Sequence, residues 1–164
     1  MSVDELRDYG LERMSDAEIR GFLSSQGLGI LGLPTEGEPY LLPLSYDYDG
    51  DSRLYFTYLV GSESRKSKLS EGSENASFLV FSADSMFNWE SVQLTGTLRK
   101  PRDDEATEPA EGAKRAWRPD LFQRADLSGG VEVYLFDIRE QSGIKHTGLP
   151  PAFERAQDTA SDDN

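Results

Sequence analysis

Three runs decide the architecture: Leu28-Gly29-Ile30-Leu31-Gly32-Leu33, then Tyr40-Leu41-Leu42-Pro43-Leu44-Ser45-Tyr46-Asp47-Tyr48, then Arg53-Leu54-Tyr55-Phe56-Thr57-Tyr58. Each is short, apolar and aromatic, and each is bounded by turn chemistry, the pattern of strands in an all-β sandwich or barrel. Glu36-Gly37-Glu38 and Asp49-Gly50-Asp51 separate them. Both place a glycine where a tight hairpin wants positive φ, so the three runs are expected to form a meander. Pro43 has no amide proton to give to a ladder, which predicts a bulge or an open edge at that point.

Upstream, Ser15-Asp16-Ala17-Glu18 has the spacing of a capping box, and Ile19, Phe22 and Leu23 supply one apolar face. A helix is expected from there to about Gln26, stopping at Gly27. Residues 1–14 lack a firm period and read as an arm or a weak helix. Downstream, Ala76 to Ser82, Ser91 to Lys100 and Val131 to Ile144 read as further strands, and in the last the alternation slips near Phe136, a second bulge signal. Asp103 to Trp117 is charged and reads as a short or broken surface helix. Residues 154–164 are polar and aperiodic, a frayed acidic tail. One domain, residues 15–153, therefore lies between arm and tail.

The 164 residues carry 17 Lys and Arg against 30 Asp and Glu, a formal net charge of -13. That balance argues against broad contact with nucleic acid or an anionic membrane surface. The acids are dispersed along the chain (Asp4, Glu36, Glu71, Asp103, Glu111, Asp158), which suits a solvated, salt-tolerant surface and predicts a high-salt cytoplasm. No run approaches the length of a membrane span and the first residues lack an apolar signal core, so a cytoplasmic location is expected. With no cysteine, thiol catalysis, thiolate metal sites and disulfides are excluded.

Several motifs are decoys. Gly27-Leu28-Gly29-Ile30-Leu31-Gly32 satisfies G-x-G-x-x-G, but here a helix precedes and a strand follows, the reverse of a dinucleotide site. Asp47, Asp49 and Asp51 lack the glycine and glutamate positions of a calcium loop and read as a hairpin tip. Asn75-Ala76-Ser77 is a glycosylation triplet without a secretory context. His146 is the only histidine, so no imidazole cluster exists for a metal, and it reads as structural or solvent-facing.

One segment breaks the acidic background. Gly61-Ser62-Glu63-Ser64-Arg65-Lys66-Ser67-Lys68-Leu69 sets three cations within four positions, between an apolar strand and an expected short helix. Cations in a first helical turn oppose the helix dipole unless an anion joins them. Hydroxyls, free amides and the forked guanidinium of Arg65 would cradle a phosphate. The competing reading is an exposed turn whose cations pair with Glu63, Glu71 and Glu74.

The order of helix, Gly-rich strand, Pro39-Tyr40-Leu41-Leu42-Pro43-Leu44-Ser45-Tyr46, acidic turn, Leu54-Tyr55-Phe56-Thr57-Tyr58, Ser64-Arg65-Lys66 and Trp89-Glu90-Ser91-Val92-Gln93-Leu94-Thr95-Gly96 resembles the pyridoxamine 5'-phosphate oxidase-like, FMN-binding split-barrel family. The resemblance implies a mainly β, six-stranded split barrel with a few short helices, forming a homodimer with two flavin sites at its interface. It also implies that Arg65 and Lys66, beside Ser64, grip the FMN phosphate, that Ser45 and Tyr46 line the ring, and that Thr57 and Tyr58 lie near ribityl and phosphate. Trp89, Ser91 and Gln93 would approach the flavin from the other subunit. For Tyr46, Tyr58 and Trp89 the competing reading is simple core packing. The carboxy-terminal Gly143 to Pro151 matches poorly the Arg- and His-bearing segment by which members that oxidise pyridoxamine phosphate read their substrate. The nearer likeness is to small flavin reductases of the superfamily. An F420-dependent reductase, or a non-catalytic flavin or haem carrier, shares the barrel.

Overall fold

The computed structural model describes residues 3–59, 69–70, 73–107 and 131–148. A 3-10 helix (Val3–Tyr9) and β1 (Leu11–Arg13) precede α1 (Asp16–Ser25), and β2 (Leu28–Leu33), β3 (Tyr40–Tyr48), β4 (Arg53–Leu59), β5 (Ser73–Ser85), β6 (Asn88–Arg99) and β7 (Val131–Thr147) follow. The antiparallel sheet runs β1-β7-β4-β3-β2-β5-β6, and β6 pairs again with β7. Six strands thus close a barrel, and β1 adds to the outer part of β7. Closure removes the unpaired edges that an open sheet of this size would present. Among the described residues, no helix is long and apolar enough to cross a membrane.

The three opening runs are strands, and they neighbour one another as a meander. Their inward residues, Leu31, Leu33, Leu54, Phe56 and Tyr58, meet Phe78, Val80, Val92, Leu94 and Phe136 in one core. Phe56 lies 4.9 Å from Phe78 and 6.1 Å from Phe136, centroid to centroid. Pro43 opposes Ile30 in an unbroken β2–β3 register, whereas β3 pairs with β4 only from Tyr46 to Tyr48. The amide of Tyr46 points to β2, bonding the Gly27 carbonyl at 3.1 Å. By alternation the missing donor of Pro43 faces the open side, so the proline marks an edge and leaves the register intact.

Gly50 has φ of 89°, as its hairpin requires, and the Asp49 carboxylate accepts from the amides of Asp51, Ser52 and Arg53 at 2.8–3.0 Å. That saturation makes Asp49 a turn former. Gly37 does not take positive φ: the Thr35 hydroxyl accepts its amide and donates to the Glu38 carbonyl, closing the turn another way.

The later strands outrun the apolar runs that announce them, because polar residues such as Ser73, opposite Leu98, and Ser85, opposite Asn88, carry the β5–β6 ladder past register shifts at either end. The register break in β7 lies between Ile138 and Glu140, not at Phe136. Tyr134, Leu135 and Phe136 are all buried, so the lost alternation reports two covered faces. The bulge follows where Gly96 meets Asp137; a Cβ on Gly96 would collide with the Asp137 carbonyl oxygen.

α1 closes one end of the barrel. The capping box forms as read, with Ser15 and Glu18 exchanging side-chain and backbone bonds at 2.8 and 3.2 Å. Ile19, Phe22 and Leu23 are buried, and Met14 and Ile19 pack so closely on Gly143 that a Cβ there would sit 2.8–2.9 Å from them. The arm is tied down: β1 pairs with Ile144–His146. Asp103 to Glu105 lie in a turn; the rest of the surface-helix reading and the acidic tail fall outside the described residues.

Candidate functional site

β4 alternates between core and outer face. Phe56 and Tyr58 point inward, and Tyr58 stacks on Tyr134 at 4.5 Å while its hydroxyl bonds Ser70 Oγ at 2.9 Å. Burial pushes the Tyr58 hydroxyl up to about 12, so it stays protonated. Tyr46 is likewise interior: its hydroxyl donates to the Leu23 carbonyl at 2.7 Å and its ring stands edge-on to Phe78 at 5.4 Å. Both tyrosine rings are engaged in packing and in holding α1 and the segment around Ser70. Two tyrosines that alternate inward on adjacent strands bury their faces and satisfy their hydroxyls internally, which is the packing that competed with flavin contact for these rings.

Their outward neighbours are different. Thr57 is half-buried, and its Oγ1 is buried without a hydrogen-bond partner among the described residues. Ser45 is exposed on β3 beside it, one step past Tyr46↔Phe56, where the two strands part. A desolvated hydroxyl with no acceptor or donor costs free energy. Ser73 Oγ, at the start of β5, is orphaned in the same way. Ser64, Arg65 and Lys66 lie outside the described residues.

Trp89, Ser91 and Gln93 share the outer face of β6. Cross-strand partners on β7 are His146, Ile144 and Ser142, and the row continues with Thr95 opposite Glu140. β7 separates this wall from β4. One chain therefore brings Ser45 and Thr57 together, and Trp89, Ser91 and Gln93 together, but not the two groups. At the polar end of the row a cleft of about 490 Å³ is lined by Gln93, Thr95, Glu140, Gln141 and Ser142. At the other end His146 is buried, its Nδ1 2.9 Å from the Phe87 carbonyl. A carbonyl only accepts, so Nδ1 carries the proton. Gly10 covers the far edge, where a Cβ would lie 2.9 Å from Cε1. His146 is thereby a structural residue holding the arm.

Sequence reasoning missed a charge network on the outer face of β4, β7 and β6. Asp137 receives Arg53 Nε at 2.7 Å and Arg99 Nε at 2.8 Å, and Arg99 forks onto Glu105 at 2.6 and 2.8 Å. The Arg99 hydrogen bond holds the Glu105 carboxyl down at about 2. Asp137, a carboxylate within an apolar strand, was the available signal. Among the described residues no group of three or more His, Asp or Glu is placed to hold a metal.

A closed six-stranded antiparallel barrel in which β3 and β4 pair only from Tyr46 to Tyr48 has the architecture of the split-barrel class. The family model for pyridoxamine 5'-phosphate oxidase matches residues 15–145, and the chain belongs to that family. No curated protein matches it. Similar solved structures include an FAD-binding protein from Mesorhizobium loti, 21% identical, covering 84% of this chain and 98% of that one at a TM-score of 0.61. A protein of unknown function from Corynebacterium diphtheriae is 23% identical over 84% of this chain and 99% of that one, at 0.60. The FAD and heme binding protein from Mycobacterium smegmatis is 17% identical over 93% and 80%, at 0.61.

Proposed function

We propose that the chain is a homodimeric flavoprotein that binds FMN and acts as an oxidoreductase on a small molecule. The observation that carries this reading is the unpartnered Thr57 hydroxyl, buried on the outer face of β4 immediately ahead of the cationic segment around Arg65. Bound flavin supplies hydride chemistry, and the protein contributes binding, orientation and electrostatics. Thr57 Oγ1 offers a hydrogen bond to the polar chain of the cofactor, and Ser45 borders the same split. Arg65 and Lys66, with the Ser64 hydroxyl, hold the phosphate by charge-assisted bonds. The second wall, Trp89, Ser91 and Gln93, comes from a partner subunit, which agrees with the separation of the two groups within one chain. Family membership and the FAD-binding proteins that the chain resembles support a flavin, and one of those proteins also binds heme. His146, sealed by Phe87 and Gly10, argues against haem ligation by the only imidazole.

The test is a visible spectrum of the purified protein, identification of the released cofactor, and the double substitution Arg65→Ala with Lys66→Ala. The expected result is a yellow dimer that releases FMN, and a variant that keeps its sedimentation coefficient while losing flavin. Unchanged flavin retention in the variant overturns the phosphate assignment; a coloured protein inert toward NAD(P)H and a panel of acceptors leaves a carrier in place of an enzyme.

A further inference from the structure

The cleft of about 490 Å³ at the end of the β6–β7 row is lined, among the described residues, by the polar Gln93, Thr95, Glu140, Gln141 and Ser142. Its size suits a single-ring organic molecule. Among its described lining residues the one charge is the exposed Glu140 carboxylate. Glu140 receives the Thr95 hydroxyl at a long 3.4 Å, and most of its acceptor capacity stays open. Gln141 is committed, donating to Asp16 at 3.1 Å. The row leading into the cleft passes from Trp89 opposite His146, through Ser91 opposite Ile144, to Gln93 opposite Ser142. It thus offers an aromatic, apolar approach at one end and an anionic end at the other.

We propose that this cleft is the substrate-selecting end of the flavin site and that Glu140 makes it choose organic ammonium compounds over phosphate esters. The inference rests on the flavin reading, since Gln93 is the residue shared by the cleft and the proposed ring contact. An ammonium group donates to Glu140 in a charge-assisted bond, while Gln93 and Ser142 orient the rest of the molecule. A phosphate ester meets a carboxylate and no cation among the described lining residues, so it is repelled and desolvated without compensation. The selection is opposite in sign to that of a site made for a phosphorylated vitamer.

The experiment titrates the full-length protein, as purified and flavin-reconstituted, with benzylamine and with benzyl phosphate at about 0.5 M salt, where long-range charge effects are screened. NMR line shifts give the dissociation constants. Glu140→Gln is compared with Glu36→Gln, which removes the same charge from the exposed β2–β3 turn. Benzylamine is expected to bind and benzyl phosphate not; E140Q should weaken benzylamine about tenfold, and E36Q should leave it unchanged. Equal losses in both variants, or benzyl phosphate binding as tightly, overturns the role of Glu140. A protein without flavin that keeps the benzylamine preference overturns the flavin reading and retains the cleft. A yellow protein indifferent to E140Q does the reverse.

Discussion

At the scale of single residues, the proposed role of Thr57 carries a thermodynamic test. Its Oγ1 is buried and has no hydrogen-bond partner among the described residues. Valine has nearly the same shape and no hydroxyl. Thr57→Val should therefore stabilise the flavin-free protein by about 1 kcal/mol, because a desolvated polar group is removed. The same substitution should weaken flavin retention, and the opposed signs separate a binding role from a packing one. Denaturant melts of the apoprotein and equilibrium dialysis against FMN measure the two sides. A loss of stability in the apoprotein would mean that the hydroxyl is satisfied. The sequence placed Thr57 in the site only through resemblance. Nothing in the alternation of Arg53 to Tyr58 says which outward hydroxyl lacks a partner, since that depends on the divergence of β3 from β4. Tyr46 and Tyr58 were visible as strand aromatics, but their inward direction follows from a register that a single strand does not reveal.

At the scale of elements, α1 was the most legible part, for capping is a local code. Ser15 and Glu18 bond each other as their spacing demands. What the code could not show is that Lys145 reaches Glu18 from β7, with Glu12 a further partner at 3.8 Å. The Lys145 hydrogen bond, followed by the Ser15 amide, lowers the Glu18 carboxyl to about 2 from an ordinary 4.5. A depressed carboxylate stabilises the fold fully above its unfolded value, and the contribution is lost as pH falls from about 4.5 toward 2. Glu105, held at about 2 by Arg99, loses its contribution in the same window. Urea midpoints should therefore drop between about pH 5 and pH 2.5, and Glu18→Gln should flatten that dependence while lowering stability at pH 7. A slope unchanged by E18Q would place the acid sensitivity elsewhere. Ser15→Ala should cost about 1 kcal/mol at neutral pH, measured by the same melts. The ends of β5, β6 and β7 were less legible because their ladder bonds continue through polar residues, and pairing leaves no mark on hydropathy.

At the scale of the whole molecule, two surface features oppose each other. Leu28, Leu41 and Phe81 are 61, 64 and 54% exposed on the outer faces of β2, β3 and β5. Register sets Ile30 opposite Leu79 between them, so these side chains share one wall of the barrel. An apolar wall of this kind suits a second copy, and Leu41→Glu should shift the sedimentation equilibrium toward monomer. If L41E sediments as the parent does, the contact lies on another wall. Against association stands the charge: a net -13 is doubled when two chains meet. Screening decides the balance. The Debye length shrinks from about 10 Å at 0.1 M salt to about 3 Å at 1 M, which removes repulsion between dispersed surface carboxylates. The Arg53, Arg99, Asp137 and Glu105 network is partly buried and is screened much less. Added sodium chloride should therefore raise both the melting temperature and the dimer fraction, with most of the gain reached by about 1 M, where screening is nearly complete. Scanning calorimetry and sedimentation across that range measure both quantities. A melting temperature that falls with salt would show that favourable ion pairs outweigh the general repulsion, and the high-salt expectation drawn from the acidic composition would fall with it.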